Sequence, residues 1–215
     1  MPTADSLPAR RPLKSRQSSA ARGAASWLAG RGVRPNLISL ASMAFAVLAG
    51  AALAVVPSAG GEAALLAAAA LCIELRLVCN LLDGLVAVEG GLGGPTGELF
   101  NDVPDRIADP VVLVCAGYAA GVPELGWAAG ILALLTAYIR VLGGSLGLDQ
   151  DFSGPMAKQQ RMAVVAAACV LAAVVTVADG YSEVPLVTAL LVVVAGSALT
   201  AALRLRRIAH ALEAR

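Results

Sequence analysis

The sequence predicts an all-α integral membrane protein: six transmembrane helices with a polar cavity on the cytoplasmic side. Three observations predict it. Of 215 residues, 58% are hydrophobic and 14% charged, against about 45–50% and about 25% in soluble domains. Runs of roughly 20 mostly apolar residues, the length that crosses a bilayer core, recur six times between breaks rich in glycine, proline or charge. The cationic residues fall on one side of those runs only. Aromatics make up 4% of the chain, so the apolar excess is aliphatic, and the mean hydropathy is +0.77. This composition excludes a disordered chain, a nucleic-acid binder built on a basic fold and a water-soluble enzyme.

The predicted spans follow in order. Asn36–Val56 carries no charge, whereas Ala63–Val88 carries Glu74, Arg76 and Asp83. Glu98–Ala120 is apolar only in its second half, beginning with Glu98, Asp102, Asp105, Arg106 and Asp109. Leu125–Leu146 contains Arg140, and Arg161–Ala178 and Pro185–Leu203 are clean. Residues 36–203 thus form the membrane domain, between a basic arm over 1–35 and a basic tail over 204–215. Ala20–Gly30, with Trp27 between Arg22 and Arg31, reads either as a short interfacial helix on an anionic leaflet or as a basic arm that only sets topology. The arm has no apolar segment placed as a signal peptide, so no cleavage is expected.

Of the 16 Lys and Arg residues, seven precede the first span and four follow the last. Lys158 and Arg161 lie at the fourth break, and Arg76, Arg106 and Arg140 lie within spans. The loops on the opposite side carry only Glu62, Glu124, Asp179 and Glu183. Six spans put both termini on one side, and the positive-inside bias makes that side cytoplasmic, in the inner membrane of the cell. Cys72, Cys79, Cys115 and Cys169 fall within spans without zinc spacing and read as packing residues; His210 in the tail is assigned no role.

Ionisable residues inside spans are costly and mark a cavity, a partner or a pathway. Here they concentrate in the C-terminal half of the second span and the N-terminal half of the third, both in the cytoplasmic leaflet. At about 100° per residue, Arg76, Asn80, Asp83 and Ala87 share a sector of roughly 60°. Glu98, Asn101, Asp102, Asp105 and Asp109 share one of roughly 100°. Carboxylates crowded on one stripe repel unless cations lie between them, and oxygen ligands without His or Cys favour Mg2+, Mn2+ or Ca2+. The alternatives are a buried ion-pair network, with Arg76 and Arg106 neutralising Asp83 and Asp105, and a cation-coupled transport bundle. Against the latter, no polar track leads to the other leaflet. The glycine-rich segment 90–97 lacks the Lys-Ser/Thr ending of a P-loop.

These residues resemble the CDP-alcohol phosphatidyltransferases, six-span membrane enzymes with the pattern D-x-x-D-G-x-x-A-R-x8-G-x-x-x-D-x-x-x-D. The chain reads Asn80-x-x-Asp83-Gly84-x-x-Ala87-Val88, eight residues, then Gly97-x-x-x-Asn101-x-x-x-Asp105. Arg34-Pro35-Asn36-Leu37-Ile38-Ser39, Tyr138-Ile139-Arg140 and Asp105-Arg106 resemble the family's flanks, so the likeness covers most of residues 32–165. Asn80 and Asn101 stand where the family has aspartates, and Val88 where it has an arginine.

The resemblance implies displacement of CMP from CDP-diacylglycerol by a small alcohol acceptor, dependent on Mg2+ or Mn2+. In the family the four aspartates hold two divalent ions and the last is the proposed base. By position, Asp83, Asp105, Asn80 and Asn101 are metal ligands and Asp105 is the catalytic base. Asn80, Asp83, Gly84, Ala87 and Gly97 bind the CDP group. The Asp-to-Asn exchanges remove ligand charge while leaving an amide oxygen, and Glu98 and Asp102, on the same stripe, are expected to take over ligation. Arg140, Lys158 and Arg161 either bind an anionic acceptor or serve topology and headgroup contact. The resemblance further implies a homodimer. A catalytically degenerate relative, or a non-enzymatic binding or transport bundle, is the alternative.

Overall fold

A computed structural model describes residues 18–58, 60–89, 91 and 97–215, without the side chains of Glu89, Glu98, Phe100 and Asn101. The described residues form seven α-helices and no strand: α1 (Ser19–Gly30), α2 (Pro35–Val55), α3 (Glu62–Glu89), α4 (Gly97–Ala119), α5 (Pro123–Ser145), α6 (Lys158–Asp179) and α7 (Val184–Glu213). Five of them, α2, α3, α5, α6 and α7, are long and apolar enough to cross a membrane. α4 differs because its first half carries Asp102, Asp105, Arg106 and Asp109. Proline in the first turn of α2, α5 and α7 costs nothing there, since those N–H groups have no intrahelical acceptor.

The long helices bury alanine, valine and leucine on one another and turn leucine and valine outward, as at Leu37, Leu48, Ile131 and Val174. That inversion suits a solvent of lipid tails. α4 is the hub, packing on α2, α5, α6 and α7, while α3 packs on α1, α2 and α6. α3 and α4 are not among the extensively packed pairs; their polar stripes meet through long side chains. The α4–α5 hairpin is the tightest approach. A Cβ on Gly117 would lie 2.7 Å from the Gly126 Cα, and one on Gly126 2.8 Å from the Leu113 carbonyl oxygen. Small residues of this kind let membrane helices close on each other.

Both ends depart from a plain arm and a plain tail. Residues 19–30 are helical: α1 packs on α3 through the buried Ala25, beside Leu85 and Val86. Its Trp27 is 56% exposed, with the Arg31 guanidinium 4.3 Å from the ring centre. Over 204–213 the expected tail is the last three turns of α7. Its Ala, Leu and Arg residues favour helix, and neither Gly nor Pro interrupts it. Arg204 is buried, donating from Nε to the Ser153 carbonyl at 2.9 Å and from Nη1 to the Thr136 carbonyl at 2.7 Å.

Candidate active site between α3 and α4

The site starts from two serines on an otherwise apolar helix. Ser39 and Ser42 lie one turn apart on α2 and are both buried. Ser39 Oγ donates to Asp83 Oδ2 at 2.8 Å, and Ser42 Oγ donates to Asn80 Oδ1 at 2.7 Å. α2 therefore orients the two motif residues of α3, a task for which the sequence offered one signal: the lone hydroxyls at helical spacing in a charge-free span.

From α3 the network crosses to α4. Asn80 Nδ2 donates to Asp105 Oδ1 at 3.3 Å. Arg76, one turn earlier and wholly buried, places Nη2 3.2 Å from Asp105 Oδ1 and 2.6 Å from Asp109 Oδ1. α5 and α6 then pair the α4 acids one by one. Asp102 takes Arg140 at 2.6 Å and its own-helix neighbour Arg106 at 3.3 Å. Asp105 Oδ2 takes the Lys158 ammonium, and Asp109 Oδ2 takes Arg161 at 3.2 Å. Arg140 also donates to Gln150 at 3.1 Å and stacks over Phe152.

Several expectations change here. The acidic stripe is not short of protein cations, because Arg140, Lys158 and Arg161 reach in from elements that spacing along α3 and α4 does not reveal. The ion pairs also differ from those expected: Arg106 serves Asp102, not Asp105, while Asp83 is held by a hydroxyl. Arg161 is no open acceptor contact. It is 2% exposed and donates to the Met156 carbonyl at 3.0 Å and Thr136 Oγ1 at 3.3 Å, because the buried Asp109 carboxylate demands a counter-charge. Asp102 points to Arg140 and Arg106. The side chains of Glu98 and Asn101, also expected as ligands, lie outside the described residues.

Among the described residues, no three His, Cys, Asp or Glu side chains gather as a metal-holding group. One feature does fit a cation: Asp83 is buried, and its Oδ1 has no hydrogen-bond partner among the described residues. A buried, unsatisfied carboxylate oxygen is costly and is the group a hard divalent ion takes. Gly84, Ala87 and Gly97 add no bulk along the two motif segments. Val88, at the end of α3, is exposed.

By sequence, no protein-family model and no curated protein matches the chain. By structure, it is similar to a phosphatidylinositol phosphate synthase of Mycobacterium tuberculosis solved with CDP-DAG bound. The TM-score is 0.71 at 20% identity, over 89% of this chain and 94% of that one. The same enzyme in complex with manganese and citrate gives a TM-score of 0.70 at 20% identity, over 87% and 88%. The chain shares their fold. The likeness spans most of both chains.

Proposed function

We propose that this chain is a CDP-alcohol phosphatidyltransferase, displacing CMP from a CDP-linked lipid with the hydroxyl of an acceptor alcohol. The observation that carries the reading is the meeting of Asp83 and Asn80 on α3 with Asp105 on α4, at the motif's spacing, in a fold shared with a synthase solved with CDP-DAG bound. Six spans with both termini in the cytoplasm, and a site opening to that side, belong to the same reading. They rest on the Lys/Arg asymmetry and on α4 completing the set. A homodimer through the spans, and the division into arm, six-helix domain and tail, rest on the resemblance.

Asp83, through its unpartnered oxygen, with Asn80, Asn101, Glu98, Asp102 and Asp105 nearby in sequence or space, forms the set from which ligands for Mg2+ or Mn2+ are drawn. When bound, such an ion neutralises the diphosphate and stabilises the departing CMP phosphate. The chain supplies the rest. Gly84, Ala87 and Gly97 leave room for the CDP group. The acceptor oxygen forms a bond to the lipid-bearing phosphorus as the bridge to the CMP phosphate breaks, and Asp105 accepts the hydroxyl proton. Arg140 and Lys158 hold an anionic acceptor once it competes for them with Asp102 and Asp105. The test is CMP release by the purified protein with CDP-diacylglycerol, Mg2+ or Mn2+ and a panel of alcohols. Acceptor-dependent release is expected, and none with any acceptor contradicts the proposal.

A second reading, a degenerate relative, is favoured by one observation. The buried Asp105 and Asp109 are already paired by Arg76, Lys158 and Arg161. It predicts no release, and no stabilisation by CDP-diacylglycerol with metal.

A further inference from the structure

Arg76 lies outside the motif, one turn before its first position, yet it is fully buried and, with Arg161, among the largest fully buried side chains of the described residues. Its Nη2 serves Asp105 and Asp109 together. Its Nε and Nη1 have no partner among the described residues, so the guanidinium is held by those two carboxylates alone. Asp105 receives two further donors, Asn80 Nδ2 on the same oxygen as Arg76 and the Lys158 ammonium on the other. Both of its oxygens are therefore engaged by this chain. Asp83 is the contrast, with one oxygen on Ser39 and the other without a hydrogen-bond partner among the described residues.

The identity of residue 80 fits this division. An aspartate at that distance from Asp105 would repel it unless a cation lay between; the Asn80 amide donates instead. Two carboxylates facing each other need an intervening cation, whereas an amide and a guanidinium facing one carboxylate do not. We infer that Arg76, with Asn80 and Lys158, takes up Asp105 in place of one divalent cation, leaving a single ion to bind on the Asp83 side. The inference rests on the transferase reading, in which divalent ions belong to the site. In these terms the exchange of aspartate for asparagine is compensated by a cation one turn away, which withdraws Asp105 from the candidate ligand set of the proposed function and leaves it the role of base alone.

The experiment counts Mn2+ bound to the purified full-length protein in detergent, with and without CDP-diacylglycerol, from the electron paramagnetic resonance of free Mn2+. The proteins are wild type, Arg76→Gln, Arg76→Lys and Lys158→Met; Lys158, at the rim with a 21% exposed side chain, provides the variant that folds if Arg76→Gln does not. Wild type and Arg76→Lys should bind one ion per chain. Arg76→Gln and Lys158→Met should bind a second, or bind the first about tenfold more tightly, as removal of a nearby positive charge requires. Two ions on wild type overturn the inference. Equal binding by wild type and both charge-removing variants also overturns it and leaves the transferase reading standing. No Mn2+ on any protein, with or without the lipid, removes that reading and the inference together.

Discussion

Replacing Asp109 by alanine should be among the most destabilising single changes in the bundle. Its carboxylate is buried and holds Arg76 at 2.6 Å and Arg161 at 3.2 Å, tying α3 and α6 to the middle of α4. Both guanidiniums are themselves buried, and each already has an Nε without a partner among the described residues. Removing one partner of a buried ion pair costs about 3–5 kcal/mol, and in a chain of this length each kcal/mol moves Tm by about 2–4 °C. The expected fall is roughly 10 °C, read in detergent from the fluorescence of Trp27 and Trp127. The cost comes from stranded charge, not from the ion pair's net worth. Converting all three residues together, Arg76→Leu with Asp109→Leu and Arg161→Met, should therefore recover more than half of the loss. A Tm for Asp109→Ala within about 2 °C of wild type would refute the reasoning.

Three further outcomes follow from the same geometry. Gly126→Ala should lower stability by about 1–3 kcal/mol, because its Cβ would meet the Leu113 carbonyl at 2.8 Å, while Gly23→Ala, with nothing within 4 Å, should not; paired melts decide. Ser39→Ala removes the one side-chain donor to Asp83 among the described residues, a loss of about 1–3 kcal/mol visible in the same assay. Burial raises the pKa of Asp151, in the α5–α6 loop, but hydrogen bonds from the Ser153 hydroxyl, Arg207 and the Ser153 amide, with the Arg207 charge, outweigh it and hold the carboxyl below its usual 3.8. A depressed folded-state pKa contributes stability above the unfolded value and loses it as the pH falls through the folded one. Asp151→Asn should thus melt earlier than wild type at about pH 7, by the modest amount of a half-exposed pair, about 0.2–1 kcal/mol. That gap should narrow as the pH falls below the usual 3.8 and through the lower folded-state value; an unchanged gap in acid would contradict the assignment.

The helices were legible because lipid imposes the strongest pattern a sequence can carry. Runs such as Asn36–Val56 have no other reading, and the clustering of Asp83, Asp105 and Asp109 in one half of two spans marked the site. The partners of those acids were not legible. Arg140, Lys158 and Arg161 lie on other helices, and which carboxylate each meets depends on how α5 and α6 pack on α3 and α4, a long-range outcome without local signal. Arg76 was visible as a charge within a span, but its two partners, 29 and 33 residues away, were not. Ser39 lies in the flank that resembles the family, but neither it nor Ser42 announces its partner, because serine is tolerated in membrane helices for many reasons. Their spacing on a charge-free helix was the available clue. Beyond Leu203 the run of positive charge reads as a topology signal and masks the helix propensity of the same residues, and Arg204 turns inward to two backbone carbonyls.

The most direct test of the transferase account is the lipid product. Wild type and Asp105→Ala, each incubated in detergent with CDP-diacylglycerol, Mn2+ and the acceptor panel, would be compared by mass spectrometry of the extracted lipid. The account predicts a lipid in which the acceptor is esterified to the donor's phosphate, formed by wild type together with CMP and absent with Asp105→Ala. Undiminished product from Asp105→Ala, or intact CDP-diacylglycerol as the sole lipid recovered from wild type with every acceptor, would contradict it.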